Sequence, residues 1–205
     1  ASSNCVVGLP VECQGAIALE KGLYACTSTV NVTVQDSSAP SSPFNCEAWS
    51  TSDPTHRSFS VSGTGSPYTG SFTTTSGAGG PGVVHVAHGD TLYSQYTDPD
   101  NCGSGSLAVQ TTAVVDCVGP VISNVQATAV TGSGATITWT TDEGSNSYVV
   151  YQNATPPSAS NATVATIVTG HSVPLTGLTE CTKYWFYVQS TDPAGNASTD
   201  NNGGL

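Results

Sequence analysis

Apolar residues recur at every second position along most of this chain, and almost nowhere at the three-to-four-residue spacing of an amphipathic helix. Residues 29–34 put Val30, Val32 and Val34 on one face and polar side chains on the other. Residues 106–115 do the same with Leu107, Val109, Thr111, Ala113 and Val115. Between these, residues 44–51, 57–62 and 67–75 read as strands, the last anchored by Tyr68 and Phe72. Residues 83–87 and 91–97 read as a hairpin about His88-Gly89-Asp90. Turn-forming stretches separate them: 36–43 with two prolines, the glycine-rich 76–81, and 98–105. Residues 16–24 have the one helix-like spacing, too short to build on. Many short strands with no helical period predict a β-sandwich or barrel.

A second run begins after the tight joint Val118-Gly119-Pro120. Strands are predicted at 121–130, at 135–141 with Ile137 and Trp139 inward, and at 146–152, 162–168, 171–175 and 183–190. The last is the strongest in the chain. Tyr184, Phe186 and Val188 lie on one face, and Trp185, Tyr187 and Gln189 on the other. The pattern therefore divides the chain into a short arm (1–12), a first β-domain (13–117) and a second (118–205). The arm has a small apolar centre, Val6, Val7 and Leu9, and no nearby strand to pair with.

Charge narrows the partners. The 205 residues hold 3 Lys+Arg against 14 Asp+Glu, a formal net charge of -11. A nucleic-acid binder needs cations to displace counterions, so that class is excluded. Anionic membrane surfaces are disfavoured for the same reason. No apolar stretch approaches the roughly 20 residues of a membrane-spanning helix. Polarity comes from Ser, Thr, Asn and Gly rather than charge, so packing against copies of the same chain strips few solvated ions. Methionine is absent, and the small residues Ala1-Ser2-Ser3 predict an extracellular, cell-surface protein whose signal peptide has been removed. Seven cysteines (Cys5, Cys13, Cys26, Cys46, Cys102, Cys117 and Cys181) contain no CxxC or zinc-type spacing, so disulfides are expected, with the pairing open. An odd count leaves at least one thiol free or bonded to another chain.

In the second domain, three features resemble a fibronectin type III module: Ile137-Thr-Trp139, then Leu175-Thr-Gly-Leu178, then Tyr184-x-Phe186-x-Val188. The resemblance implies a seven-stranded sandwich in which the Tyr184 hydroxyl ties back to the corner before the sixth strand, F. The segment 190–196 resembles the turn between strand F and the last strand, G. The first domain is more loosely similar to bacterial surface Ig-like β-sandwich repeats through Tyr68-Thr-Gly-Ser-Phe72. The fold class is thus all-β, two tandem Ig-like or fibronectin type III-like sandwiches behind an N-terminal arm. Residues 198–205 are polar and glycine-rich, and read as no strand at all, so strand G is expected to be missing. An unpaired F edge beside aromatic residues is sticky. The arm of another copy, through Val6, Val7 and Leu9, is a candidate donor strand, with Cys5 and Cys13 flanking it. Cys181, in the corner before strand F, is the first candidate for a bond between subunits.

Other candidate sites are weaker. His85 and His88 point to opposite faces of a strand and make a poor metal pair, with or without Asp90. Asp98, Asp100 and Asn101 form a polar loop that offers oxygens to Ca²⁺, without the spacing of a calcium-binding helix-loop-helix. No nucleophile elbow or phosphate loop occurs, and the chain is read as a non-enzyme without cofactor. Asn31, Asn153, Asn161 and Asn196 each begin an N-x-Ser/Thr glycosylation sequence. Trp185 and Tyr187, predicted outward, are candidate partner contacts. The expected function is an extracellular structural or adhesive subunit that polymerises with copies of itself through a donated strand, an intersubunit disulfide, or both. The alternative is a carbohydrate- or cell-binding accessory module of a larger secreted protein, with a glycan ligand.

Overall fold

A computed structural model describes residues 14–154, 156–158 and 160–201. The expected arm, with Cys5, Val6, Val7 and Leu9, lies outside the described residues, as does Cys13. Two compact units divide between Asp116 and Cys117. The first contains β1 (Ala16–Leu19), β2 (Leu23–Tyr24), β3 (Thr29–Gln35), β4 (Phe44–Ser50), β5 (Arg57–Ser62), β6 (Tyr68–Thr75), β7 (Val83–His85), β8 (Thr91–Asp98) and β9 (Leu107–Val115). The second contains β10 (Ile122–Thr128), β11 (Gly134–Gln152), β12 (Ser160–Thr176), β13 (Trp185–Thr191) and β14 (Ala197–Asp200).

In the first unit the strands run β1-β3-β6-β5-β4-β8-β9-β2, with β7 added to β6. β1 also lies against β8 and β9, so the sheet curls over a shared interior. Alternation along the chain becomes burial: Val30, Val32 and Val34 are buried while Asn31 and Gln35 are exposed. Each buried valine contributes about 1.5 kcal/mol or more. Gly70 faces Val32 on one side and Val61 on the other. A Cβ there would come 2.3 Å from the Ser60 carbonyl oxygen, so this crossing of three strands requires glycine. Cys26 and Cys117 are bonded to each other, just past the ends of β2 and β9. That bond extends the parallel β2–β9 ladder, whose last link is Asp116 N–H to the Tyr24 carbonyl.

Two expectations are corrected here. Residues 16–24 form β1 and β2, because Ile17 is buried and pairs with Val34. Residues 83–87 and 91–97 are not a hairpin: β7 runs parallel to β6, while β8 pairs with β4 and β9. Val86 N–H continues the β7–β6 ladder onto Thr75, and the intervening turn is closed by Asp90, which accepts from Ala87 N–H and Ser52 Oγ.

In the second unit β11 and β12 are long strands that each serve two sheets. The 134–141 part of β11 pairs with β10 and with 170–176 of β12. After the bend, its 145–152 part pairs with 160–168 and with β13. The core between the sheets is Ile137, Trp139, Val149, Val173, Leu175 and Val188. Where β11 bends, a polar bracket replaces the lost ladder. His171 is buried, its Nε2 2.9 Å from Thr141 Oγ1 and its Nδ1 2.8 Å from Ser147 Oγ. Its ring stacks on Trp139 at 4.7 Å, and Trp139 Nε1–H donates to Ser190 Oγ.

Burial pushes His171 below the ordinary imidazole value, so the neutral ring is the folded form. The unfolded chain then binds its proton more readily, and stability is lost as pH falls through the ordinary histidine range. Unfolding free energy is expected to drop between pH 7 and pH 5 by up to about 1.4 kcal/mol per pH unit from this residue. A His171→Gln chain should show a shallower slope in urea melts across that range. Equal slopes in both chains would remove this assignment.

The expected absence of strand G is also corrected. Ala197–Asp200 pairs antiparallel with β13, from Thr191↔Ala197 to Val188↔Asp200. Its residues alternate between exposed and half-buried and none is a large apolar. The ladder holds this strand in place, which is why a hydrophobic pattern does not reveal it.

Candidate functional site

Among the described residues, β14 pairs with the Val188–Thr191 part of β13. β13 begins at Trp185, but β14 ends opposite Val188, so the described residues supply no ladder partner on that side of Trp185, Phe186 and Tyr187. Strands β10 and β14 start together, with Gly119 against Ser198 and the Asn196 side-chain amide on the Val118 carbonyl. β10 then runs on to Thr128. Beyond that point the two sheets part over a cleft of about 380 Å³. Ala127, Val130, Ile137, Leu175, Leu178 and Phe186 line it, with Glu180 and Lys183 among its polar neighbours. Val130 is 71% exposed, an unusual setting for a large apolar side chain. The cleft thus adjoins the start of β13, through Phe186.

The corner before β13 is built as the resemblance implies. Gly177 has φ +73°, and Thr179 N–H donates to the Tyr184 hydroxyl at 3.2 Å. That bond holds the phenol below its ordinary pKa. Cys181 adopts φ +57° in this corner and is exposed. Trp185 and Tyr187, predicted outward, are half-buried, and the Lys183 ammonium sits 4.8 Å from the Trp185 ring centre.

The described cysteines fall into two groups. Cys26, Cys102 and Cys117 are disulfide-bonded, while Cys46 and Cys181 are free. Cys46 is buried, and burial pushes its thiol up to about 12. With reduced, folded protein, a maleimide is expected to label Cys181 promptly and Cys46 only after denaturant. Early labelling of Cys46 would mean that β4 opens in the native state.

The loop offered for Ca²⁺ serves another purpose. Asp98 is fully buried, and its two oxygens accept from Gly15, Asp100 and Asn101 N–H at 2.7 to 3.0 Å. Asp100 Oδ1 accepts from Gly103 N–H. The carboxylates are turned toward donors, so a cation would have to displace these bonds. His85 Nδ1 lies 2.7 Å from the Gly77 carbonyl, and His88 pairs with Asp116. The structure does not bring the two histidines together. Of the glycosylation sequences, Asn153 and Asn161 are exposed. Asn31 is exposed but donates to Glu20, and Asn196 is half-buried on Asp192 and Val118.

One feature has no counterpart in the sequence reading. On the outer face of β4 and β8, Trp49 is sandwiched between His56 at 3.9 Å and Tyr93 at 5.3 Å, all three rings nearly parallel. Trp49 and Tyr93 are cross-strand partners, a pairing that only the nonlocal register reveals.

The second unit, with its bent strands and Tyr184 tie, is a fibronectin type III-like sandwich, and the first is a curled Ig-like sheet. Comparison with known proteins agrees on the fold. The FN1–FN3 domains of chicken CNTN1 align with a TM-score of 0.50 at 12% identity, covering 89% of this chain and 65% of that one. A two-domain fibronectin type III segment of chicken tenascin aligns over 90% of this chain and 95% of its own, at 14% identity and TM-score 0.35. Chitinase A1 of Niallia circulans is 35% identical over 92 residues, 43% of this chain, within the type III-like part. This chain spans only 12% of that protein's length. No family model matches the chain. The Cys26–Cys117 disulfide fits an oxidising compartment. No helix among the described residues is long and apolar enough to cross a membrane.

Proposed function

We propose that this chain is an extracellular structural subunit that joins copies of itself into a surface fibre or appendage. The observation that carries this reading is the apolar cleft beside β13, with Val130 71% exposed in its lining. Lys183, beside Trp185, has its ammonium over that ring. The low charge of the whole chain, with 3 Lys+Arg, also favours close approach of copies. Cys181 is the candidate for a covalent link between subunits: two thiols exchange with a small-molecule disulfide, forming one protein disulfide and releasing two small thiols.

Light scattering of the native chain, with and without reductant, tests the proposal. Polymers are expected. Shrinkage under reductant assigns the link to disulfides, and persistence assigns it to noncovalent contact. A monomer at all concentrations would contradict the proposal. It would favour a second reading, a carbohydrate- or cell-binding accessory module, which the 35% identity to part of Chitinase A1 supports. Retention of that monomer on an insoluble polysaccharide would then be expected.

A further inference from the structure

Taking self-assembly as its basis, we infer that two copies of the second unit meet cleft to cleft about a two-fold axis at Cys181, which closes a symmetric disulfide between them.

The rim of the cleft is built for an apolar contact. Val130 lines it and is 71% exposed, so one chain alone leaves this side chain largely in water. The backbone holds it there: the residue before it, Ala129, has φ +46°. Cys181, on the same rim, has φ +57°, and its thiol is exposed and free. Both residues lie in the left-handed region, which a residue with a Cβ rarely adopts. Non-glycine residues held in such conformations cluster at functional sites.

The charges on the rim select a second copy as the occupant. Glu180 and Lys183 both line the cleft. The Glu180 carboxyl lies against Gly132, in the turn that follows Val130, while Lys183 Nζ lies over Trp185 at the start of β13. Among the described residues neither is in an ion pair. Lys183 is also the one Lys or Arg that follows Arg57 in the chain. Elsewhere the charged side chains of the second unit are acids, which repel a copy of themselves. This rim carries one charge of each sign and attracts its own copy.

Symmetry fixes the pairing. In a two-fold contact, if one residue touches a second residue of the other copy, the converse contact forms as well. Glu180 opposite Lys183 of the other copy therefore gives two ion pairs from one match. Cys181 stands between them in sequence, and a residue at the axis meets its own counterpart. The two thiols exchange with a small-molecule disulfide, forming one protein disulfide and releasing two small thiols. Each Val130 then covers the other copy's cleft. This contact closes on itself, so a fibre grows from such pairs through a second contact elsewhere on the chain.

The test uses the native, full-length chain. Peptide mapping without reductant should recover Cys181 linked to Cys181, a product that a contact between two different surfaces does not give. Cys181→Ser should abolish this link and leave reversible association. In that background, at low salt, Glu180→Lys and Lys183→Glu chains each set like charges across the axis. Each should associate on the order of tenfold more weakly in sedimentation. Mixing the two variants should restore association, because every charge then meets its opposite. Val130→Glu changes an exposed residue, so its circular dichroism spectrum should match wild type while association weakens about tenfold or more. A wild-type chain that stays monomeric would defeat the self-assembly reading itself. Polymers indifferent to Val130→Glu, or a mixture of the charge variants no stronger than either alone, would overturn the cleft-to-cleft contact and leave self-assembly standing. Recovery of Cys181 linked to a different cysteine would overturn the two-fold axis.

Discussion

Trp139→Ala is expected to cost about 4 kcal/mol of stability, within the range for truncating a fully buried tryptophan. Trp139 is 2% exposed, at the centre of the cluster that holds the two sheets of the second unit together. Truncation removes the ring from between Ile137 and Val188, and also leaves Ser190 Oγ without its donor and His171 without its stacking partner. Since domains are stable by only about 5–15 kcal/mol, urea unfolding of this variant should begin in native buffer. Trp139→Phe separates the parts. It keeps an aromatic face against His171 and loses the Nε1–H bond, so its cost should be about half as large. Equal costs for the two variants would show that the hydrogen bond, not the packing, dominates.

Asp98→Ala is expected to cost about 3 kcal/mol or more in the first unit. Three buried main-chain N–H groups, those of Gly15, Asp100 and Asn101, would lose their acceptors. Asp98→Asn keeps one acceptor oxygen but turns an NH₂ group toward N–H donors, so it should rescue little. Those donors, Gly15 foremost, hold the Asp98 carboxyl below the usual carboxylate range. Its stabilisation is therefore fully present at neutral pH and is lost as pH falls through its depressed folded value. Acid unfolding of wild type against Asp98→Asn, followed by circular dichroism, measures this directly. Identical acid midpoints would contradict it.

Where one face of a strand is buried, the fold is legible in the sequence. Val30, Val32 and Val34, the inward Ile137 and Trp139, and Val188 all lie where alternation places them. Pairing is less legible, because it depends on residues far apart in the chain. Val83–His85 looks like half of a hairpin with the next strand, yet it adds to β6 in parallel. The bend of β11 is held by a histidine between two hydroxyls, and no sequence pattern predicts such a bracket. β14 was invisible for a different reason. Ala197-Ser-Thr-Asp200 has no apolar face, and only its ladder to β13 makes it a strand. The candidate site was half legible: the Leu175-to-Tyr184 corner follows the sequence pattern, but the cleft depends on Ala127, Val130 and Ile137, which come together only in the folded sheets. Asp98 misled because a buried carboxylate satisfied by backbone donors and a calcium ligand present the same residues.

The central claim is that copies of this chain meet at the cleft and the start of β13. Amide hydrogen exchange on the peptide spanning residues 183–188, measured across a dilution series, tests this most directly. The account predicts protection of this peptide that rises with the assembled fraction, while Val149 in the core stays protected throughout. Protection of this peptide that is the same at every dilution would contradict the account.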